Sequence, residues 1–336
     1  MTITALTSIE QPGRVIQRSR LLACVIAWEF RRVLASRLFW VQALGFFALS
    51  LFLTWSQDIP LTLNHAHATV PFYGFLAGTS AWGLLWTLPT GTLLLLGVLL
   101  PFINADGVTR DRSRRTHELF LATALPTWAY VWGRYLAGLL LSLAMALLAL
   151  AAILGMGLFL HLTITGHPLQ RIGNHIADYP SPQIGSLMII WVGMIAPATM
   201  VVSSLSFVLG TLLPRLTTLV KIVIMAAWFL GSQVPSILFS TASHAVNSSL
   251  PAWYIHWDPT SEAIALGLFS KYFTDFSNLA DKATSTAQTQ HDLLTVENSL
   301  IDLGSWFAPH LLLAVFSLVL VLIVALAFKR SRHTLS

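Results

Sequence analysis

Apolar residues in this chain do not alternate with polar ones; they run in long blocks. No charged residue occurs from Leu38 to Gln57, Ile59 to Ala105, Tyr135 to Gln170, Tyr179 to Pro214, Ile222 to Trp257 or Leu303 to Phe328. A helix needs about 20 apolar residues to cross the hydrocarbon core of a bilayer, and each of these six blocks supplies them. Spans are predicted at roughly 38–57, 82–103, 135–160, 185–211, 218–239 and 306–328. Backbone amides find no water partner in lipid, so each span is expected to be helical.

Between the blocks, three further helices are legible. From Arg20 to Ser36, Leu22, Ala23, Ile26, Phe30, Val33 and Leu34 fall on one helical face and Arg20, Trp28, Arg31 and Arg32 on the other. That pattern predicts a helix lying in the membrane interface; the alternative is an extension of the first span. The loop Asn104–Arg134 is short, basic and patterned like a helix. In the longest loop, 240–305, Asp258 can cap a helix, Pro259 suits its first position, and Ile264, Leu268 and Tyr272 recur every four residues. With Trp253, Tyr254 and Trp257 at headgroup depth, this segment is expected to dip back toward the bilayer, followed by an exposed polar cap over Thr274–Ser299. The very short turn at Pro214 and Arg215 makes the fourth and fifth spans antiparallel neighbours.

Composition reinforces the pattern. Only 10% of the 336 residues are charged against 55% hydrophobic, where a soluble domain carries about 25% charge. With both termini on the cytoplasmic side, only Arg171, Lys271 and Lys282 of the 19 basic residues fall outside, which is the bias that sets orientation. The same bias explains the net charge of +5 through anionic lipid and leaves no need for nucleic acid. The expected organisation is all-α: a flexible amino terminus (1–17), an interfacial helix (18–36), a six-helix transmembrane domain (37–328) and a cytoplasmic tail (329–336).

Catalytic signatures are missing. None of the four lysines follows a G-x-x-x-x-G-K-[ST] run, and there is no H-E-x-x-H, G-x-S-x-G or cysteine pair. Cys24 stands alone and reads as a structural thiol, and the polar first 17 residues lead us to expect no removable signal peptide. Carboxylates are absent from the predicted spans, which disfavours proton-coupled transport. Eight of the 11 histidines fall on the outer side, among them His65 and His67, yet no cysteine or carboxylate pair accompanies them, so no metal site is expected. Asn247-Ser248-Ser249 fits a glycosylation sequon that matters only in a secretory eukaryote.

The loop D-R-S-R-R-T-H-E-L-F-L-A-T-A-L-P-T-W-A-Y-V-W-G-R-Y-L, Asp111–Leu136, resembles the first cytoplasmic loop of type-2 ABC exporter permeases. Thr116, Glu118, Leu119, Leu121, Ala122, Thr123, Trp128, Gly133 and Arg134 fit that family's pattern, whereas Arg115 stands where glycine is usual and Ala124 where proline is common. The stretch Leu250–Ile264 resembles the family's L-P-x-W…N-P-L-x-Y-A segment, with Asp258 for asparagine and Glu262 for the aromatic. The amino-terminal W-E-F-R-R-V-L-A-S-R-L-F-W is also similar.

This resemblance implies a dimer of six-span subunits, homodimeric or paired with a related chain, bound to cytoplasmic ATP-binding-cassette ATPase subunits that hold ATP and Mg; this chain binds no cofactor. Arg110, Arg112, Arg114, Arg115, Glu118, Leu119, Phe120 and Leu121 would couple to the ATPase, together with Trp28, Glu29, Arg31 and Arg32 of the elbow helix. The pathway would run along spans two and five, past Thr87, Thr90, Thr92, Phe229, Ser232 and Gln233. The expected function is export of a hydrophobic or amphipathic substrate, a drug, lipid or modified peptide, across the cytoplasmic membrane. Fifteen arginines against four lysines suggest a GC-rich, bacterial source. The alternatives are a non-transporting anchor of an ATPase complex and, less favoured, an integral membrane enzyme.

Overall fold

The computed structural model describes residues 12–55, 58–63, 72–107, 126–164, 179–242 and 251–333. Helix dominates them. Among the described residues, five helical stretches are long and apolar enough to cross a membrane, or six if a bent pair counts as one span.

Helix α1 (Pro12–Leu34) ends before α2 (Arg37–Trp55) begins. The Trp40 indole donates to the Leu34 carbonyl at 2.8 Å, occupying one of the acceptors that a helix end leaves open. The amino-terminal helix is therefore separate from the first span. Helix α2 touches the rest of the protein along one stripe, Phe39, Ala43, Phe46, Ser50 and Thr54, and leaves Leu38, Val41, Leu44 and Phe52 exposed.

An element the sequence reading lacked follows. Strands β1 (Asp58–Leu63) and β2 (Phe72–Ala77) pair antiparallel, with Asp58 opposite Ala77 and Leu63 opposite Phe72. The hairpin delivers the chain to α3 (Ala81–Thr87), whose first turn is capped by Ser80: its Oγ accepts from the Gly83 amide at 3.0 Å and donates to the Ala77 carbonyl at 2.7 Å. Gly83 is required there, because any Cβ would overlap that same carbonyl.

The second span is broken. A π-type stretch, Leu88–Leu93, separates α3 from α4 (Leu94–Asn104), and the two helices are bent by 45°. Pro89 lacks an amide hydrogen to continue the helical ladder, which is a sufficient local cause. Helix α5 (Thr127–Ile164) is longer than the predicted third span and starts eight residues earlier, at the end of the basic loop. The fourth span comprises α6 (Ile184–Ile190), a π-type stretch (Trp191–Ile195) and α7 (Ala196–Leu212). A single 3-10 turn, Pro214–Leu216, joins it to α8 (Thr217–Ala242), and α12 (Phe307–His333) is the last span.

The long loop 240–305 contains α9 (Ala252–Trp257), α10 (Glu262–Ala280) and α11 (Thr286–Glu297). Helix α10 begins at Glu262, after Ser261 in left-handed conformation at φ 61°, and not at Pro259. Asp258 still serves its first turn, since one carboxylate oxygen accepts from the Ala263 amide and the other from the Thr260 amide, both at 2.9 Å. The four-residue stripe of Ile264, Leu268 and Tyr272 is buried and extends to Phe276 and Ala280. It meets Trp82 of α3, whose indole donates to the Phe269 carbonyl at 3.2 Å and whose ring lies among Phe269, Tyr272 and Phe276. The expected cap over 274–299 is exposed at most of its positions, but it is not exposed throughout: Phe276, Leu293, Val296 and Glu297 are buried within it.

Candidate functional site at the junction of the amino-terminal helix and the third span

Helix α1 packs directly on the start of α5. Gly133 permits the approach, since a Cβ there would lie 2.6 Å from Cγ1 of Val25. One residue on, Arg134 forms an ion pair with Glu29 of α1, and both side chains are almost fully buried. Glu29 also pairs with Arg32 one turn along α1 at 2.9 Å.

Aromatic rings complete the cluster. The Arg134 guanidinium lies 4.7 Å from the Trp28 ring and 5.5 Å from Tyr130, and Arg32 lies 5.4 Å from Trp28. Cation–π contacts of this kind contribute about 0.5–2 kcal/mol, more as water is excluded. A charge buried this deeply is tolerable only with its partner present, because desolvation costs several kcal/mol per ion. The elbow is therefore fastened to the third span by an interaction that cannot be half made. Glu29, which the amphipathic pattern left unplaced, is turned inward; Arg31 stays exposed, and Ala23 and Leu34, assigned to the apolar face, are exposed as well.

Beside this cluster a seam of small polar groups ties four spans. The Asn104 amide nitrogen, at the end of α4, donates to the Leu100 carbonyl at 3.0 Å and to Ser142 Oγ at 2.9 Å, and it lies 3.3 Å from Ser203 Oγ. Tyr135 and Ser204 share a hydrogen bond at 2.8 Å, and Ser204 donates to Ser317 of α12 at 3.1 Å. Lys221 at the start of α8 meets Asp106 at 2.7 Å. These contacts place the ends of α1, α4 and α7 and the starts of α5 and α8 at one end of the bundle.

The proposed coupling residues Arg110, Arg112, Arg114, Arg115, Glu118, Leu119, Phe120 and Leu121 lie outside the described residues. Of the pathway set, Thr92 and Ser232 are buried, with Ser232 Oγ donating to its own helix at the Phe229 carbonyl at 3.0 Å. Phe229 is 49% exposed, Thr87 and Gln233 are partly buried, and the Thr90 side chain lies outside the described residues. Spans two and five meet instead through Trp228: its indole donates to the Leu93 carbonyl at 3.0 Å, and its ring occupies the space a side chain at Gly97 would need. Thr92 and Ser232 are thus packed within this chain. Of the outer histidines, His161 lies 2.7 Å from the Tyr179 carbonyl and His256 3.1 Å from Ser305 Oγ, while His65, His67, His167, His175 and His244 lie outside the described residues.

Two buried polar sites were not read from the sequence. His310 Nδ1 in α12 lies 3.2 Å from the carbonyl of Gly193, a residue of the π-type stretch in the fourth span, and 3.4 Å from Ser261 Oγ. Glu297, at the end of α11, accepts from the Ala77 amide at 2.8 Å, and burial pushes its carboxyl up to about 8 against the lowering effect of that bond and of Ser80. His310 had a signal, as a lone imidazole inside an otherwise apolar span; Glu297 had none, lying in a segment that reads as polar surface.

No family model matches the chain, and no curated protein matches it.

Proposed function

We propose that this chain is the membrane permease subunit of an ABC exporter, moving a hydrophobic or amphipathic substrate outward across a bacterial cytoplasmic membrane with ATP hydrolysed by a separate chain. The observation that carries the reading is the Glu29–Arg134 fastening. It joins the amino-terminal helix to the third span directly after the basic loop 104–134. A push on either the loop or the elbow would then move α1 and α5 as one body, which is what rigid-body coupling to a partner requires.

The exposed apolar faces of α2 and α8, including Leu38, Val41, Ile222, Phe229 and Leu230, leave room for lipid and for a second permease copy. The long outer segment, folded onto α3 by Trp82, would cover the external end of the pathway. The near absence of charged residues from the predicted spans favours a drug, lipid or modified peptide over a polyanion.

The test is co-purification with the partner ATPase in lipid nanodiscs, comparing wild type with Arg112/Arg114/Arg115→Glu. Recovery of a complex that hydrolyses ATP, lost on charge reversal, supports the coupling role. If an ATPase is recovered but no substrate class changes its rate, the non-transporting anchor is the better reading. If no ATPase co-purifies, the proposal fails.

A further inference from the structure

Among the described residues, Ser261 alone, glycine aside, has a backbone in the left-handed region, at φ 61° and ψ 9°. A side chain makes this conformation costly in a way that glycine avoids, and such outliers persist only where their surroundings hold them. Both backbone groups of Ser261 are committed: its amide donates to the Asp258 carbonyl and its carbonyl accepts from the Ala265 amide, each at 3.2 Å. The chain thus enters α10 through a strained serine that is fully buried.

What holds it there belongs to three spans. Ser261 Oγ donates to the Met194 carbonyl at 3.3 Å, inside the π-type stretch of the fourth span. Beside it, His310 Nδ1 of the last span faces both Ser261 Oγ at 3.4 Å and the Gly193 carbonyl at 3.2 Å. A carbonyl can only accept, so Nδ1 carries the hydrogen and Nε2 is the bare nitrogen of the neutral ring. Nε2 is buried, and no donor among the described residues reaches it, which is a second local cost. On the third side, the Thr260 methyl group lies 3.3 Å from where a Cβ at Gly231 of α8 would stand. The holding bonds are long, at the weak limit of hydrogen bonding. The closed position is therefore a balance of small terms against two defined costs. Both costs end once segment 258–262 lifts and water reaches the imidazole.

We infer that segment 258–262 is a strained latch between the outer segment and spans four, five and six. Closed, it is wedged against Met194, Gly231 and His310; open, Ser261 relaxes to an ordinary backbone conformation and leaves the bundle. The bonds of the Asp258 carboxylate, to Thr260 and to the Ala263 amide, lie within the moving piece, so it travels as a unit. The latch stands on this geometry. Its use, to uncover the outer end of the pathway during export, rests on the function proposed above.

The experiment uses the full chain in lipid nanodiscs, with neither ATPase nor nucleotide, so its failure leaves the export reading untouched. Cys24→Ser removes the single native thiol, and Thr260→Cys supplies a reporter. Thr260 is 3% exposed, so a charged methanethiosulfonate reaches the reporter only when the segment has lifted. In this background Ser261→Ala loses the hydroxyl and keeps the left-handed cost, whereas Ser261→Gly loses both. The ratio of their labelling rates therefore isolates the strain. Alanine should label about fivefold faster than glycine, and the native serine, which keeps its hydroxyl, should label more slowly than alanine. Equal rates for alanine and glycine, or the reverse order, overturn the strain. Native serine labelling as fast as alanine overturns the hold of the hydroxyl. Labelling in no variant short of the denaturant that unfolds the chain overturns the open state.

Discussion

Asn104 on α4 presses its side-chain oxygen against Gly138 on α5 so closely that any Cβ at 138 would overlap it. The same amide's nitrogen is committed to Leu100 and Ser142. The glycine is thus the condition for a hydrogen-bonded amide to sit between spans two, three and four.

Gly138→Ala should therefore destabilise the fold by about 1–3 kcal/mol, the usual effect of forcing a methyl group into a filled interior. Gly155→Ala, on the same helix and with nothing within 4 Å of the new Cβ, should be neutral or slightly stabilising through helix propensity. Unfolding in a detergent–denaturant series separates the two; equal effects would show that helix propensity alone governs both sites.

The Glu29–Arg134 pair should behave as a unit. Glu29→Gln or Arg134→Met alone leaves the other charge buried and should cost about 3–5 kcal/mol. The double variant Glu29→Leu/Arg134→Met should recover most of that loss. A double-mutant cycle on unfolding free energy measures the coupling, and additive single effects would contradict a shared buried site.

Gly97 and Trp228 set the contact between spans two and five. Trp228→Ala should cost about 3–5 kcal/mol by opening a cavity. Gly97→Val should also destabilise and should displace the indole, readable as a red shift of tryptophan emission that is lost in Gly97→Val/Trp228→Ala. An unshifted spectrum for Gly97→Val would mean that α4 and α8 separate elsewhere.

Glu297 gives the outer segment a pH dependence of definite sign. Its carboxyl titrates near 8 when docked, against about 4.5 when exposed, so the docked state holds the proton more tightly. Stabilisation from this group is fully present below the exposed value and is lost as pH rises through 8. Hydrogen exchange of the Ala77 amide, corrected for its intrinsic pH dependence, should accelerate progressively from about pH 5 to about pH 8 and level off above it. Glu297→Gln, which keeps an acceptor but cannot ionise, should flatten the profile; an identical profile in that variant would remove Glu297 as the cause.

The polar run 274–299 shows where sequence pattern was incomplete. Polar composition read as exposed surface, yet α11 buries Leu293, Val296 and Glu297 against the hairpin and α3. Buried polar groups with a backbone partner look, one residue at a time, like solvated ones. The hairpin itself was missed because its strands are only six residues each; the first alternates but is interrupted by Pro60, and the second, F-Y-G-F-L-A, does not alternate at all.

The sequence by itself determined that this chain is largely helical, with five or six stretches long and apolar enough to cross a membrane, roughly where those stretches fall, that an amphipathic helix precedes them, and which stripe of α10 is buried. Each of these follows from local free energy of transfer, a sum over neighbouring residues that needs no partner. Only the tertiary structure decided that Glu29 faces Arg134 across 105 positions, that Trp228 fills the groove at Gly97, and that Thr92 and Ser232 are packed within the chain. A span that is apolar all round offers lipid and protein the same chemistry on every side. Its rotation is chosen by the shape of a glycine notch or by a single buried hydrogen bond, and neither exists until two helices meet.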